Sequence, residues 1–152
     1  MSGVRLTPEQ VLEIMPQREP FRFVDEILEL DDEHILGVYR FRPEADFYRG
    51  HFPDNPVTPG VLLIESMAQV GIVALGIYLL AQESEADTSK VMTLFTDAAV
   101  DFGGIVEPGQ RVTISAQKVF FRRRKLRSQA EMTLDDGTVV CSGTVSGMGV
   151  FR

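Results

Sequence analysis

One histidine and one carboxylate stand in unusual settings. His51 lies in the loop Gly50-His51-Phe52-Pro53-Asp54-Asn55-Pro56-Val57-Thr58-Pro59-Gly60, where three prolines fall within seven positions. Each proline fixes one backbone torsion and biases the residue before it toward extended conformations. The loop is therefore a rigid holder for an imidazole, a group whose ordinary pKa of about 6.5 leaves a usable neutral base near neutrality. Fourteen residues on, Glu65 sits near the start of Val61–Leu80, VLLIESMAQVGIVALGIYLL, which is apolar almost throughout. A carboxyl in such surroundings is expected to hold its proton above the usual range and so to act as an acid. Leu62, Glu65, Gln69 and Ile72 share one helical face. A Glu and a Gln one turn apart on a buried stripe predict a small polar site, with Gln69 either orienting the carboxyl or serving as a core amide. Taken alone, His51 reads as a pin for its own loop. No metal is expected, because His51, Asp54 and Glu65 lack the short spacing of His and carboxylate ligands.

The elements that must position these groups can be read in order. Thr7-Pro8-Glu9-Gln10 has the form of a capping box with proline at the first helical position, predicting a short helix that ends at Pro16. Phe23 to Leu30 and Ile35 to Phe41 read as a hairpin across the polar turn Asp31-Asp32-Glu33, with His34 a solvated turn residue. Glu44 to Tyr48 predicts a single helical turn. Pro59 suits the first turn of the long helix, and Gly60 allows close approach to its backbone. Gln82 to Lys90 reads as a polar loop, Val91 to Val100 as a buried strand, and Gly103-Gly104 and Pro108-Gly109 as turns. Arg111 to Phe121 and Gln129 to Leu134 alternate, with Val112, Ile114, Ala116, Ala130, Met132 and Leu134 inward. Asp135-Asp136-Gly137-Thr138 is a hairpin turn, after which Val139, Cys141 and Val145 continue the inward face. About six strands and one buried helix predict an α+β domain, a curved antiparallel sheet wrapped around the helix.

The chain has 152 residues, enough for one domain spanning 1–152 with a substantial core. A net charge of −7 argues against general nucleic-acid binding. The long helix has the length to cross a bilayer. Glu65, Ser66 and Gln69 in its first half, and three acids with no base in residues 82–87, point to a core helix instead, so no membrane partner is expected. Cys141 is the only cysteine, and the first twenty residues carry Pro8, Pro16 and Pro20 without an apolar run; both fit the cytoplasm.

His51-Phe52-Pro53, Asn55-Pro56, Pro59-Gly60-Val61-Leu62, Glu65 and Met67-Ala68-Gln69 together resemble the hot-dog fold, and within it the beta-hydroxyacyl-acyl-carrier-protein dehydratases of bacterial fatty acid synthesis, the FabZ type. The likeness runs from about Met15 to Met148, with Pro20-Phe21, Val24-Asp25 and Pro108-Gly109 as weaker matches. It implies that His51 is the catalytic histidine, Glu65 the catalytic acid, and Gly60 the residue whose N–H holds the thioester oxygen. Phe52, Pro59, Val61 and Gln69 would line the substrate site. It implies dehydration of a (3R)-hydroxyacyl thioester to the trans-2-enoyl thioester, with the glutamate favouring plain dehydration over the isomerising variant. No metal or redox cofactor is implied, only substrate carried on the phosphopantetheine of acyl carrier protein. The minimum unit would be a homodimer, possible also as a trimer of dimers, with the histidine from one subunit and the carboxylate from the other. The chain departs from the family at Glu26, where arginine is usual, and at Gly103-Gly104, where basic residues are usual.

Arg122, Arg123, Arg124, Lys125 and Arg127 place five of the fifteen basic residues within six positions. Such a patch on an acidic chain reads either as a dock for the acidic carrier protein or as a solvated bend that discourages edge aggregation. Rival functions on the same fold are an acyl thioesterase, using Glu65 with a water, and a non-catalytic acyl-binding or scaffold subunit.

Overall fold

The computed structural model describes residues 3–83 and 88–151. Helix α1 (Pro8–Ile14) opens as its sequence requires. The Thr7 hydroxyl accepts from the Gln10 N–H at 3.2 Å while the Gln10 amide oxygen accepts from the Thr7 N–H at 2.9 Å, two otherwise orphaned donors satisfied together. Strands β1 (Glu26–Leu30) and β2 (His34–Arg40) form the expected hairpin. Asp31 closes its turn by accepting from the N–H groups of Glu33 and His34, both at 2.8 Å. His34 is not the freely solvated turn residue expected. It opens β2, half-buried, with Nε2 3.2 Å from the Ser115 hydroxyl.

Strands β3 (Val91–Phe102), β4 (Arg111–Arg122), β5 (Lys125–Leu134) and β6 (Val139–Phe151) complete one antiparallel sheet in the order β1-β2-β4-β5-β6-β3. Val112, Ile114, Ala116, Ala130 and Met132 are buried as their alternation demands. Two strands depart from expectation. A register shift near the start of β6 sets Thr133 opposite Val139 while Met132 still faces Cys141, so Val140 is buried and Val139 is exposed. An extra residue of this kind reverses the facing of whatever precedes it. The second is β3, apolar in sequence but mostly exposed. It is an edge strand hydrogen-bonded only to β6, and it leaves Leu94, Phe95 and Phe102 about half-exposed.

Across the sheet lies a continuous helix, Gly60–Glu83, made of α2 (Gly60–Ala68), a π-helical segment (Gln69–Ala74) and α3 (Leu75–Glu83). Pro59 stands just outside its first turn, as the cap. It is long and apolar enough to span a bilayer, but 67% of its most apolar window is buried against the sheet, which accounts for an apolar surface on nearly every side. Contact with the sheet is tight. A Cβ at Gly71 would come 3.0 Å from that of Ala116, and the Ser128 hydroxyl donates to the Gly71 carbonyl at 2.7 Å, inside the π segment. Beneath α2 the Cys141 thiol lies 3.8 Å from the Met67 sulfur, and burial pushes its pKa up to about 11. Of the polar loop expected over 82–90, Gln82 and Glu83 continue α3 and Thr88–Lys90 form a 3-10 turn, while 84–87 lie outside the described residues.

Candidate active site

The proline loop holds His51 as expected. A 3-10 turn, Asp46–Arg49, delivers the chain, and the His51 N–H donates to the Phe47 carbonyl at 3.0 Å. Val57 returns the contact, its N–H donating to the His51 carbonyl at 2.9 Å. The Thr58 N–H bonds the Val106 carbonyl at 2.9 Å, and the Thr58 hydroxyl bonds Tyr48, so the loop is fastened at both ends. The imidazole is itself oriented. Its Nδ1 lies 2.9 Å from the Val57 carbonyl oxygen. A carbonyl can only accept, so Nδ1 carries the proton and the neutral ring keeps its lone pair on Nε2. The exposed Phe52 ring stacks on the imidazole, centroids 4.2 Å apart.

Glu65 occupies the last turns of α2, half-buried. Burial holds its carboxyl above the usual carboxylate range, opposed in part by a hydrogen bond from Gln69. The Gln69 amide donates to Glu65 Oε2 at 2.9 Å and to the Phe21 carbonyl at 3.0 Å, and its oxygen accepts from the Phe23 N–H at 2.7 Å. Both roles weighed for Gln69 are therefore filled at once. It is a fully buried core amide that ties the strap before β1 to the helix, and it aims the carboxyl. Ser66, read in the sequence only as a sign of a core helix, adds a second tie from its hydroxyl to the Phe23 carbonyl at 2.7 Å. The π segment that begins at Gln69 was also unforeseen; such segments gather at functional sites.

Gly60 is the first residue of α2, so its N–H has no acceptor within the helix. A Cβ there would stand 3.1 Å from the Phe102 ring. Of the other residues expected to line a site, Val61 is 72% exposed and Pro59 partly so. His51 and Glu65 are not brought together within one chain. Among the described residues no hydrogen bond joins them, and the cavity beside Glu65 does not include His51.

That cavity, about 40 Å³, is lined by Glu65, Ala68, Ile72, Val73, Thr93 and Phe95, with Gln17, Ser146 and Gly147. A second, apolar cavity of about 20 Å³ shares Ile72, Thr93 and Gly147 and continues to Gly76, Leu80, Phe121 and Leu126. The two lie along the same helix and share the walls at Ile72, Thr93 and Gly147. Arg124 also lines the second cavity.

The basic cluster lies on the β4–β5 turn, where Arg123 and Arg124 adopt left-handed conformations. Arg124 donates to the Gly149 carbonyl, while Lys125 and Arg127 pair with Asp97 and Arg122 stacks over Phe120. Beside the departure at Glu26, Asp25 pairs with Arg42 at 2.7 Å. No cluster of potential metal ligands occurs among the described residues.

A family model described as FabA-like domain matches residues 15–144. Among curated proteins, a 3-hydroxyacyl-[acyl-carrier-protein] dehydratase FabZ of Caldicellulosiruptor bescii is 36% identical over 136 residues, 89% of this chain and 92% of that protein. Its counterpart from Herpetosiphon aurantiacus is 38% identical over 142 residues, covering 91% of this chain and 94% of that one. Among solved structures, the dehydratase heterocomplex ApeI:P of Xenorhabdus doucetiae superposes with a TM-score of 0.71 at 15% identity, covering 97% of this chain and 94% of that one. A thioesterase of Haemophilus influenzae gives 0.68 at 14%, covering 99% and 94%. At such identities the two structures establish the shared fold, a hot-dog.

Proposed function

Because the chain belongs to the FabA-like family, we propose that His51 and Glu65 are the base and acid of the reaction its curated relatives are named for. That reaction is dehydration of a 3-hydroxyacyl thioester on acyl carrier protein, so the enzyme is a hydro-lyase of fatty acid biosynthesis. The neutral imidazole takes the proton on the α carbon at Nε2. The electron pair left behind forms the new double bond as the Cβ–O bond breaks. Glu65 delivers its proton to the departing hydroxyl, which leaves as water. Imidazolium and carboxylate then exchange protons with solvent, and the site is reset. Negative charge that develops on the thioester oxygen is met by the Gly60 N–H at the positive end of α2, a donor worth about 3 kcal/mol in comparable sites. No step requires a metal or redox cofactor.

The single observation that carries these roles is the opposed preparation of the two groups. His51 is tethered through Nδ1 so that Nε2 is the free base, while burial raises the pKa of Glu65 and so favours its acid form. Within one chain they share neither a hydrogen bond nor a cavity, which supports a shared site, the histidine from one subunit and the carboxylate from its partner. The uncovered β3 edge, with Leu94, Phe95, Phe102 and nearby Ile105 exposed, supports the same pairing. The acyl chain would run from Glu65 past Ile72 into the apolar far cavity. On that path Arg124 lies at the tail end, opposite the thioester, which favours the solvated-turn reading of the basic cluster over carrier docking. The carrier delivers substrate in the cytoplasm.

A spectrophotometric assay of enoyl-thioester hydration tests this, with His51→Ala and Glu65→Gln as controls. Each variant should lose about 10²- to 10⁴-fold in kcat. Mixing and refolding the two inactive variants should restore about a quarter of wild-type activity, since half the dimers form one intact site in two. Equal rates in all three proteins would refute the roles; release of free acid would point to the thioesterase.

A further inference from the structure

We infer that Gln17 is a third polar contact of this site and accepts a hydrogen bond from the departing hydroxyl of the substrate. The inference rests on the dehydratase reading above. Gln17 follows Pro16 after α1, and its side chain lines the same cavity as Glu65. Its Oε1 is buried and has no hydrogen-bond partner, the only buried side-chain nitrogen or oxygen in that condition among the described residues. Orphaned buried acceptors cost stability and are rare, so one that persists beside a catalytic carboxyl marks a place that something else fills.

The surrounding backbone does not need this amide. The Arg22 side chain already gathers the segment, donating to the carbonyls of Gln17 at 3.0 Å, Leu12 at 2.6 Å and Met15 at 3.3 Å. Nor do other polar groups of the cavity supply the missing donor. Ser146 is engaged by Arg127 at 2.8 Å and by Asp97, and Glu65 Oε2 already accepts from Gln69. Thr93 also lines the cavity, but its hydroxyl makes no hydrogen bond to Gln17 Oε1, and the remaining walls include Ala68, Ile72, Val73 and Phe95.

The reaction itself provides the donor. A β-hydroxyl that is to leave as water must accept the Glu65 proton on a lone pair. Its own O–H then points elsewhere and needs an acceptor in an apolar cavity. Gln17 Oε1 is that acceptor. The bond turns the hydroxyl so that a lone pair faces Glu65. As the Cβ–O bond breaks and the oxygen takes up the second proton, its O–H becomes more acidic and the bond to Gln17 strengthens. The contact thus favours the transition state over bound substrate. An amide suits the task because it accepts without competing for the proton.

Replacement by methionine keeps the length and removes the acceptor. Gln17→Met should lower kcat about 10- to 100-fold with KM nearly unchanged, the loss of a hydrogen bond made in the transition state. Its thermal midpoint should equal or exceed that of wild type, because the orphaned oxygen is gone. Gln17→Leu should behave alike, which guards against one replacement packing badly. A merely structural role would lower stability and activity together in both variants, and that outcome would overturn the proposal. So would a kcat within about twofold of wild type, the ordinary scatter of a neutral substitution, while His51→Ala and Glu65→Gln abolish turnover; the base and acid assignments would then stand alone. An inert wild-type protein would bring down both readings.

Discussion

Replacing Gln69 by methionine, which has similar length but no amide, should separate two effects that the native side chain combines. Three hydrogen bonds disappear, to Glu65 Oε2, the Phe21 carbonyl and the Phe23 N–H. The Phe23 N–H is left buried without an acceptor, and the partly buried Phe21 carbonyl loses its donor. Together these cost about 2–4 kcal/mol, which in a domain of this size lowers the melting midpoint by roughly 5–15 °C. The second effect is electrostatic. Burial raises the Glu65 pKa and the Gln69 bond lowers it, so removing the bond leaves burial less opposed. The carboxyl must be protonated to serve as the acid, so the alkaline limb of the kcat profile should move to higher pH. Meanwhile kcat itself should fall, because nothing aims the carboxyl. Denaturant unfolding gives the first effect and a pH–rate profile of dehydration the second. An alkaline limb that stays put or moves to lower pH, or a stability within about 0.5 kcal/mol of wild type, would refute the reasoning.

Three further outcomes follow from the same geometry. Glu65→Gln should stabilise the fold at neutral pH and not in acid. The native carboxyl holds its proton above the unfolded range, so its burial carries no ionisation cost below that range and an increasing one as pH rises toward its folded pKa; melting curves that differ equally at pH 4 and pH 8 would contradict this. At Gly76 a Cβ would meet Leu126 at 3.7 Å, ordinary contact, so Gly76→Leu should fold and fill the far cavity. Long-chain thioesters should then lose about tenfold or more in kcat/KM relative to short ones, and an unchanged preference would place the tail elsewhere. Charge reversal at Arg123 and Arg124 should leave turnover of carrier-linked substrate at low salt unchanged, and a marked fall there would restore the docking reading.

Much of the fold was legible because its signals are local. The Thr7 to Gln10 box, the Asp136-Gly137 turn and the alternation through β4 each depend on residues a few positions apart. The pairing of an acid and an amide at Glu65 and Gln69 was equally readable, since four residues on a helix are neighbours whatever surrounds them. The misses share a different cause. An uninterrupted apolar run carries no phase, so the widening of the helix between Gln69 and Ala74 leaves no trace in residue type, although Gly71 inside the run was a hint. The early reversal of β6 at Val139 and Val140 involves two identical residues, and the pattern could not say which one faces inward. Strand β3 read as buried because its residues are apolar, and the pattern carries no sign that it lies at the edge of the sheet, bonded only to β6. Gln17 could not be found by type or spacing, because its distinction is the lack of a partner, a property of the folded surroundings.

The position of Cys141 has a practical consequence. Its thiol is sealed beneath α2 against Met67, with a pKa near 11, so almost none of it is thiolate at neutral pH and no reagent can reach it while the sheet and helix stay together. Alkylation can proceed only when the two layers part. The single sulfhydryl is therefore a native clock for core opening, and its labelling rate times how often the molecule comes apart, with no tag or engineered probe required.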